Sequence, residues 1–155
     1  MSLEGKLAIG ITSLLLIVSA ASAREKKIKR SDLPPAVEKT VAAQSAGATI
    51  VGFSQEKEHG QTFYEAEMTV NGHSKDLLID AGGTVVEVEE EVALNDLPSD
   101  VQAGLAAKAH GGTIFKVESI KKPDKLVAYE AHVDTNGKKS EIQVGPDGKP
   151  LAHEE

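Results

Sequence analysis

The chain has 155 residues, a formal net charge of −7 and no cysteine. The missing thiols exclude disulfides, thiolate chemistry, cysteine-ligated metals and a lipid anchor on a cleavage-site cysteine. An acidic chain whose Lys and Arg cluster only at Arg24–Arg30, with Phe53, Phe63, Tyr64, Phe115 and Tyr129 as its sole aromatics, excludes a nucleic-acid binder.

Lys6 precedes an apolar run, Leu7–Val18, and small residues follow to Ala21-Ser22-Ala23. A basic start, a short apolar core and an A-x-A site are the layout of a secretory signal peptide, predicted over 1–23. The run is shorter than the roughly 20 residues that a bilayer span needs, so no stable membrane span is expected after cleavage. The alternative is an uncleaved anchor. Either way the chain is exported, to the periplasm or beyond. Residues 24–31 read as a solvated basic linker rather than a lipid-binding arm.

The next segment, 32–92, resembles the one after it, 93–152. Asp32-Leu33-Pro34 reappears as Asp96-Leu97-Pro98, Val37 as Val101, Ala42-Ala43 as Ala106-Ala107, and Thr49-Ile50 as Thr113-Ile114. Further on, Tyr64-Glu65-Ala66 returns as Tyr129-Glu130-Ala131, Asn71-Gly72 as Asn136-Gly137, and Gly83 as Gly148. Self-similarity of this kind is the mark of a duplication. Each copy opens a helix at Asp-Leu-Pro, since proline costs nothing in a first helical turn. Val37 with Val41, and Val101 with Leu105, give an i, i+4 apolar stripe, and Gly47 and Gly111 suit the left-handed cap that ends a helix. The period then changes to two, predicting strands over Thr49–Gln55, Thr62–Val70, Ser74–Asp80 and Thr84–Glu90. Asn71-Gly72 and Asn136-Gly137 predict two-residue hairpin turns of the primed type. The expected fold is α+β: two tandem repeats, each one helix on an antiparallel three- or four-stranded meander, forming a shared or adjacent concave sheet. Residues 153–155 are a tail.

Alternation assigns Val51, Phe53, Val86, Val88, Phe115 and Val117, among others, to the face under the helices. The opposite face carries Val85 and Glu89, and with them the expected partner-binding residues Phe63, Glu65, Glu67, Leu78, Glu87, Lys116, Glu130, His132 and Glu141. An antiparallel sheet can leave such a face open to water.

Leu33-Pro34-Pro35-Ala36-Val37, then Tyr64-Glu65-Ala66-Glu67, Asn71-Gly72 and Asp80-Ala81-Gly82-Gly83-Thr84-Val85, resemble the pattern of the PepSY-like family. The second copy matches at Leu97-Pro98, Tyr129-Glu130-Ala131, Asn136-Gly137 and Asp147-Gly148. It departs where Gly145-Pro146 replaces the family's aspartate and Lys149-Pro150 follows, so its last strand is expected to be short or absent. The tandem arrangement is similar to β-lactamase-inhibitor-like proteins. The resemblance implies a secreted or periplasmic domain that inhibits a peptidase or another enzyme by protein–protein contact. It carries over no inhibitory residue.

Chemistry is hard to find. His59, His73, His110, His132 and His153 show no H-E-x-x-H or similar spacing, and there is no G-x-S-x-G elbow. Glu65, Glu67, Glu87 and Glu89 alternate along strands where water is expected to solvate them, leaving no general acid. No catalytic residue, cofactor or metal is expected. The reading is a non-enzymatic binding protein, with an unknown protein as partner. The alternatives are a small-ligand or divalent-cation binder and a structural envelope protein.

Overall fold

The computed structural model describes residues 26–58 and 60–155. The predicted signal peptide and His59 lie outside the described residues. From Lys26 the chain forms one eight-stranded antiparallel sheet with every strand beside its sequence neighbour. The strands are β1 (Lys26–Ile28), β2 (Thr49–Glu58), β3 (Gln61–Val70), β4 (His73–Asp80), β5 (Val85–Glu91), β6 (Thr113–Lys122), β7 (Lys125–Thr135) and β8 (Lys138–Val144). Two short helices interrupt the meander, α1 (Pro35–Gln44) before β2 and α2 (Ser99–Lys108) between β5 and β6.

This corrects the expected architecture. The molecule is a single meander sheet with two short helices, not two repeats that each carry a helix on a sheet of their own. The finding that overturns the expectation is the ladder between β5 and β6, which runs from Val88 opposite Lys121 to Glu91 opposite Glu118. Backbone hydrogen bonds thus cross the middle of the chain although α2 lies between the two strands, and the sheet is continuous there.

The turns follow the local chemistry. Asn71 and Gly72 have φ of 53° and 88°, and Asn136 and Gly137 have 56° and 84°, as the primed turn requires at both central positions. Beyond β8 the chain adds no further strand, in line with the Gly145-Pro146 departure.

The apolar stripe of each helix lies on the sheet. Val37 and Val41 are fully buried with Leu33, Phe53, Ala66, Met68, Leu77 and Ile79. Val101 and Leu105 are buried with Leu97, Val117, Ala131 and Val144. The mean exposure of a helix says little here; the two buried side chains of each are what tether it.

Four side chains lie on the other side from that expected, and β-bulges are the cause. Register shifts occur between Ile50 and Gly52, between Leu78 and Ile79, and between Ile114 and Lys116. An extra residue in a strand of period two inverts the facing of what precedes or follows it. Val51 and Phe115 are therefore 64% and 51% exposed, while Ile50 and Ile114 pack on the core in their place. At the bulge opposite Leu78 and Ile79, Val85 turns to the core and Val86 to the open face.

Candidate binding cleft

The face without helices is concave and encloses a cleft of about 680 Å³. Period-two alternation on adjacent strands assembles it. Its walls are Phe63 and Glu65 on β3, Asp76 and Leu78 on β4, and Val86, Glu87 and Glu89 on β5. Lys116, Glu118 and Lys122 on β6, Glu130 and His132 on β7, and Glu141 and Gln143 on β8 complete it. Glu56 and Gln61 stand at one end, and Glu154 and Glu155 at the other. Ten carboxylates thus surround two lysines and one histidine.

The cleft contains eight of the nine expected face residues. Glu67 does not line it: its carboxylate accepts from Lys27 of the edge strand and lies against Gly52, where a Cβ would be 3.4 Å from Glu67 Oε1. Glu67 has been taken up by the sheet edge.

Cross-strand pairing sets like charges side by side. Asp76 lies opposite Glu89, and Glu118 opposite Glu130. Adjacent carboxylates repel, and concavity removes water that would screen them. Burial, then Glu65 and Glu118, push the Asp76 carboxyl up to about 7. Burial, then a hydrogen bond with Glu87 and the charge of Glu130, push Glu89 up to about 9. Burial also raises Glu130, against a hydrogen bond from Gln143. The expectation of a well-solvated acidic face is corrected: Glu118 is 1% and Glu87 8% exposed. The Asp76, Glu89 and Glu130 carboxyls are held above the ordinary carboxylate range.

Glu118 goes the other way. Burial alone would raise it, but donors from His132, Lys116 and Ser74 together outweigh that and bring it to about 2. His132 Nε2 and Lys116 Nζ each lie 2.8 Å from its Oε2, and Ser74 Oγ donates to its Oε1 at 2.8 Å. Lys122 bridges Glu87 at 2.9 Å and Glu155 at 3.2 Å. Both lysines of the cleft are therefore paired, whereas Asp76 and Glu89 make no ion pair among the described residues. The arrangement presents hydrogen-bond acceptors and excess negative charge, bordered by the apolar groups of Phe63, Leu78 and Val86.

No family model matches the chain, and no curated protein matches it. Solved structures do. A protein of Bacteroides eggerthii DSM 20697, provisionally described as periplasmic, is 19% identical with a TM-score of 0.59, over 77% of this chain and 86% of its own. A DUF2874 family protein of Bacteroides ovatus ATCC 8483 is 20% identical with a TM-score of 0.57, over 77% and 84%. A BLIP-like protein of Bacteroides fragilis NCTC 9343 is 21% identical with a TM-score of 0.51, over 75% and 81%. At such identities the likeness is one of fold. The BLIP-like neighbour agrees with the expected likeness to β-lactamase-inhibitor-like proteins.

Sequence reasoning omitted Asp76 and Glu118 from the face, and with them the centre of its electrostatics. Glu118 was within reach: it stands two residues from Lys116, so period two places it beside Lys116. Asp76 was within reach by the same rule from Leu78. Val86 and the tail residues Glu154 and Glu155 carried no local signal, because a bulge and a chain reversal put them there.

Proposed function

We propose that this is a periplasmic binding protein whose acidic concave face docks a basic surface of a protein partner. The reading includes inhibition, with an envelope enzyme such as a peptidase as the target, since occupying an enzyme's basic rim blocks access without chemistry. The observation that carries it is the cleft itself, ten carboxylates against two paired lysines and a histidine. Paired charges add little to attraction, but Asp76 and Glu89, which hold protons while they face each other, gain when a partner's cation takes a proton's place. Support for the compartment comes from neighbours described as periplasmic and from the signal-like N-terminus. Among the described residues no helix is long and apolar enough to cross a membrane. The BLIP-like neighbour and the PepSY-like motif support the inhibitor reading.

Affinity capture of envelope proteins tests this, using residues 24–155 as bait. One matched bait carries Glu65→Lys, Glu130→Lys and Glu141→Lys in the cleft. The other carries Asp96→Lys and Asp100→Lys, both exposed near the start of α2. A partner held by the native and α2-variant baits, but lost from the cleft variant, is the expected outcome. A partner retained equally by all three would place binding elsewhere.

A further inference from the structure

The β6–β7–β8 end of the cleft has a second kind of order. Glu118 and Glu130 are cross-strand partners, and His132 sits between Lys116 on one side and Glu141 on the other. His132 Nε2 lies 2.8 Å from Glu118 Oε2 and 3.5 Å from Glu130 Oε1. One ligand atom from each of the three falls within 4.8 Å of the others. A tetrahedral ion with bonds of about 2.0 Å needs its donors about 3.3 Å apart. The two N···O separations bracket that edge.

Groups outside the trio fix its orientation. Ser74 Oγ donates to Glu118 Oε1 at 2.8 Å, and Gln143 Nε2 donates to Glu130 Oε2 at 2.8 Å. The neutral donors thereby occupy one oxygen of each carboxylate and leave the other turned toward Nε2. The opposite ring nitrogen, Nδ1, faces Glu141 Oε1 at 3.4 Å, and the Phe115 ring tilts against the imidazole at 5.9 Å between centroids. A carboxylate behind the imidazole and hydrogen bonds behind each ligating carboxylate are the outer support that metal-binding side chains need.

We propose that Glu118, Glu130 and His132 bind a borderline divalent metal, zinc or a first-row neighbour, with the remaining position open to the cleft. One imidazole nitrogen and two carboxylate oxygens suit such an ion, whereas calcium takes six to eight oxygens and magnesium retains its water. Lys116 is the built-in competitor, because its ammonium shares Glu118 Oε2 at 2.8 Å. An ion entering the site displaces it, so affinity is moderate and the lysine sets it. This site stands independently of the protein-partner reading; either can fail alone.

The test is calorimetric titration of residues 24–155 with zinc chloride in a non-chelating buffer, with calcium chloride run in parallel. The expected result is one zinc per chain with a Kd on the order of micromolar, and calcium weaker by at least about a hundredfold. His132→Gln is expected to weaken zinc by about tenfold or more, and Lys116→Met to strengthen it. His132 is partly exposed, so His132→Gln keeps the fold, which circular dichroism verifies. Absence of zinc binding, calcium binding as tightly, or zinc binding unchanged in His132→Gln would each overturn the proposal. The last result would assign the ion to another histidine.

Discussion

At the scale of the residue, the unusual feature is the conflict between Asp76 and Glu89, half-buried carboxyls set opposite each other across β4 and β5. Both are raised, to about 7 and about 9, so between about pH 4.5 and pH 9 the folded chain binds more protons at these groups than the unfolded chain does. Their contribution to stability is present at the acidic end of that window and lost as pH rises through it. Glu118, lowered to about 2, acts oppositely: its contribution is present above about pH 4.5 and lost as pH falls toward 2. Urea denaturation from pH 5 to pH 9 should therefore show falling stability. The Asp76→Asn, Glu89→Gln variant should flatten that slope and gain on the order of 1 kcal/mol at pH 8. A slope the same in both chains would count against the conflict. The alternation of charges along each strand was legible in the sequence. The burial was not, because it arises when strands distant in sequence curve around one space.

At the scale of the element, the helices and hairpins follow from local rules. Pro34 and Pro98 cap the helix starts, Gly47 and Gly111 adopt φ of 78° and 85°, and the Asn-Gly turns take the conformation their residues favour. Bulges obey a different cause, since the register of the whole ladder decides where an extra residue is placed. Val51→Ser should therefore change stability by less than about 0.5 kcal/mol, whereas Val117→Ala should cost about 2–3 kcal/mol in chemical denaturation. A large loss at Val51 would mean it packs inward after all. Loop and helix also meet at Gly148, with φ of 76°, where a Cβ would collide with the Asp100 carbonyl. Gly72, with φ of 88°, has open space around it. Gly148→Ala should accordingly cost about 2–4 kcal/mol and Gly72→Ala only about 1 kcal/mol. Equal costs would show that backbone strain alone matters and that the approach of the β8 loop to α2 does not.

At the scale of the molecule, self-similarity between the two halves of the sequence pointed toward two units, and the ladder between β5 and β6 joined them into one sheet. The sequence left a shared or an adjacent sheet open and did not single out that ladder, because β5 and β6 are separated by α2. A continuous sheet predicts one cooperative unfolding transition, with calorimetric and van't Hoff enthalpies in agreement. Two resolved transitions would mean that the halves fold separately despite their shared ladder. The continuity matters for function, since the cleft draws on β2 to β8 and exists only because the halves share one concavity.

The central claim is that this concavity, rather than the helical side or a sheet edge, meets the partner. Its most direct test is amide and methyl chemical-shift mapping of residues 24–155 titrated with the partner that affinity capture provides. The account predicts perturbations at Leu78, Val86, Glu118, His132 and Gln143, with Val37, Val41 and Val101 under the helices unchanged. Perturbations confined to the helices, or to Lys26–Ile28 and Lys138–Ser140 at the sheet edges, would contradict it.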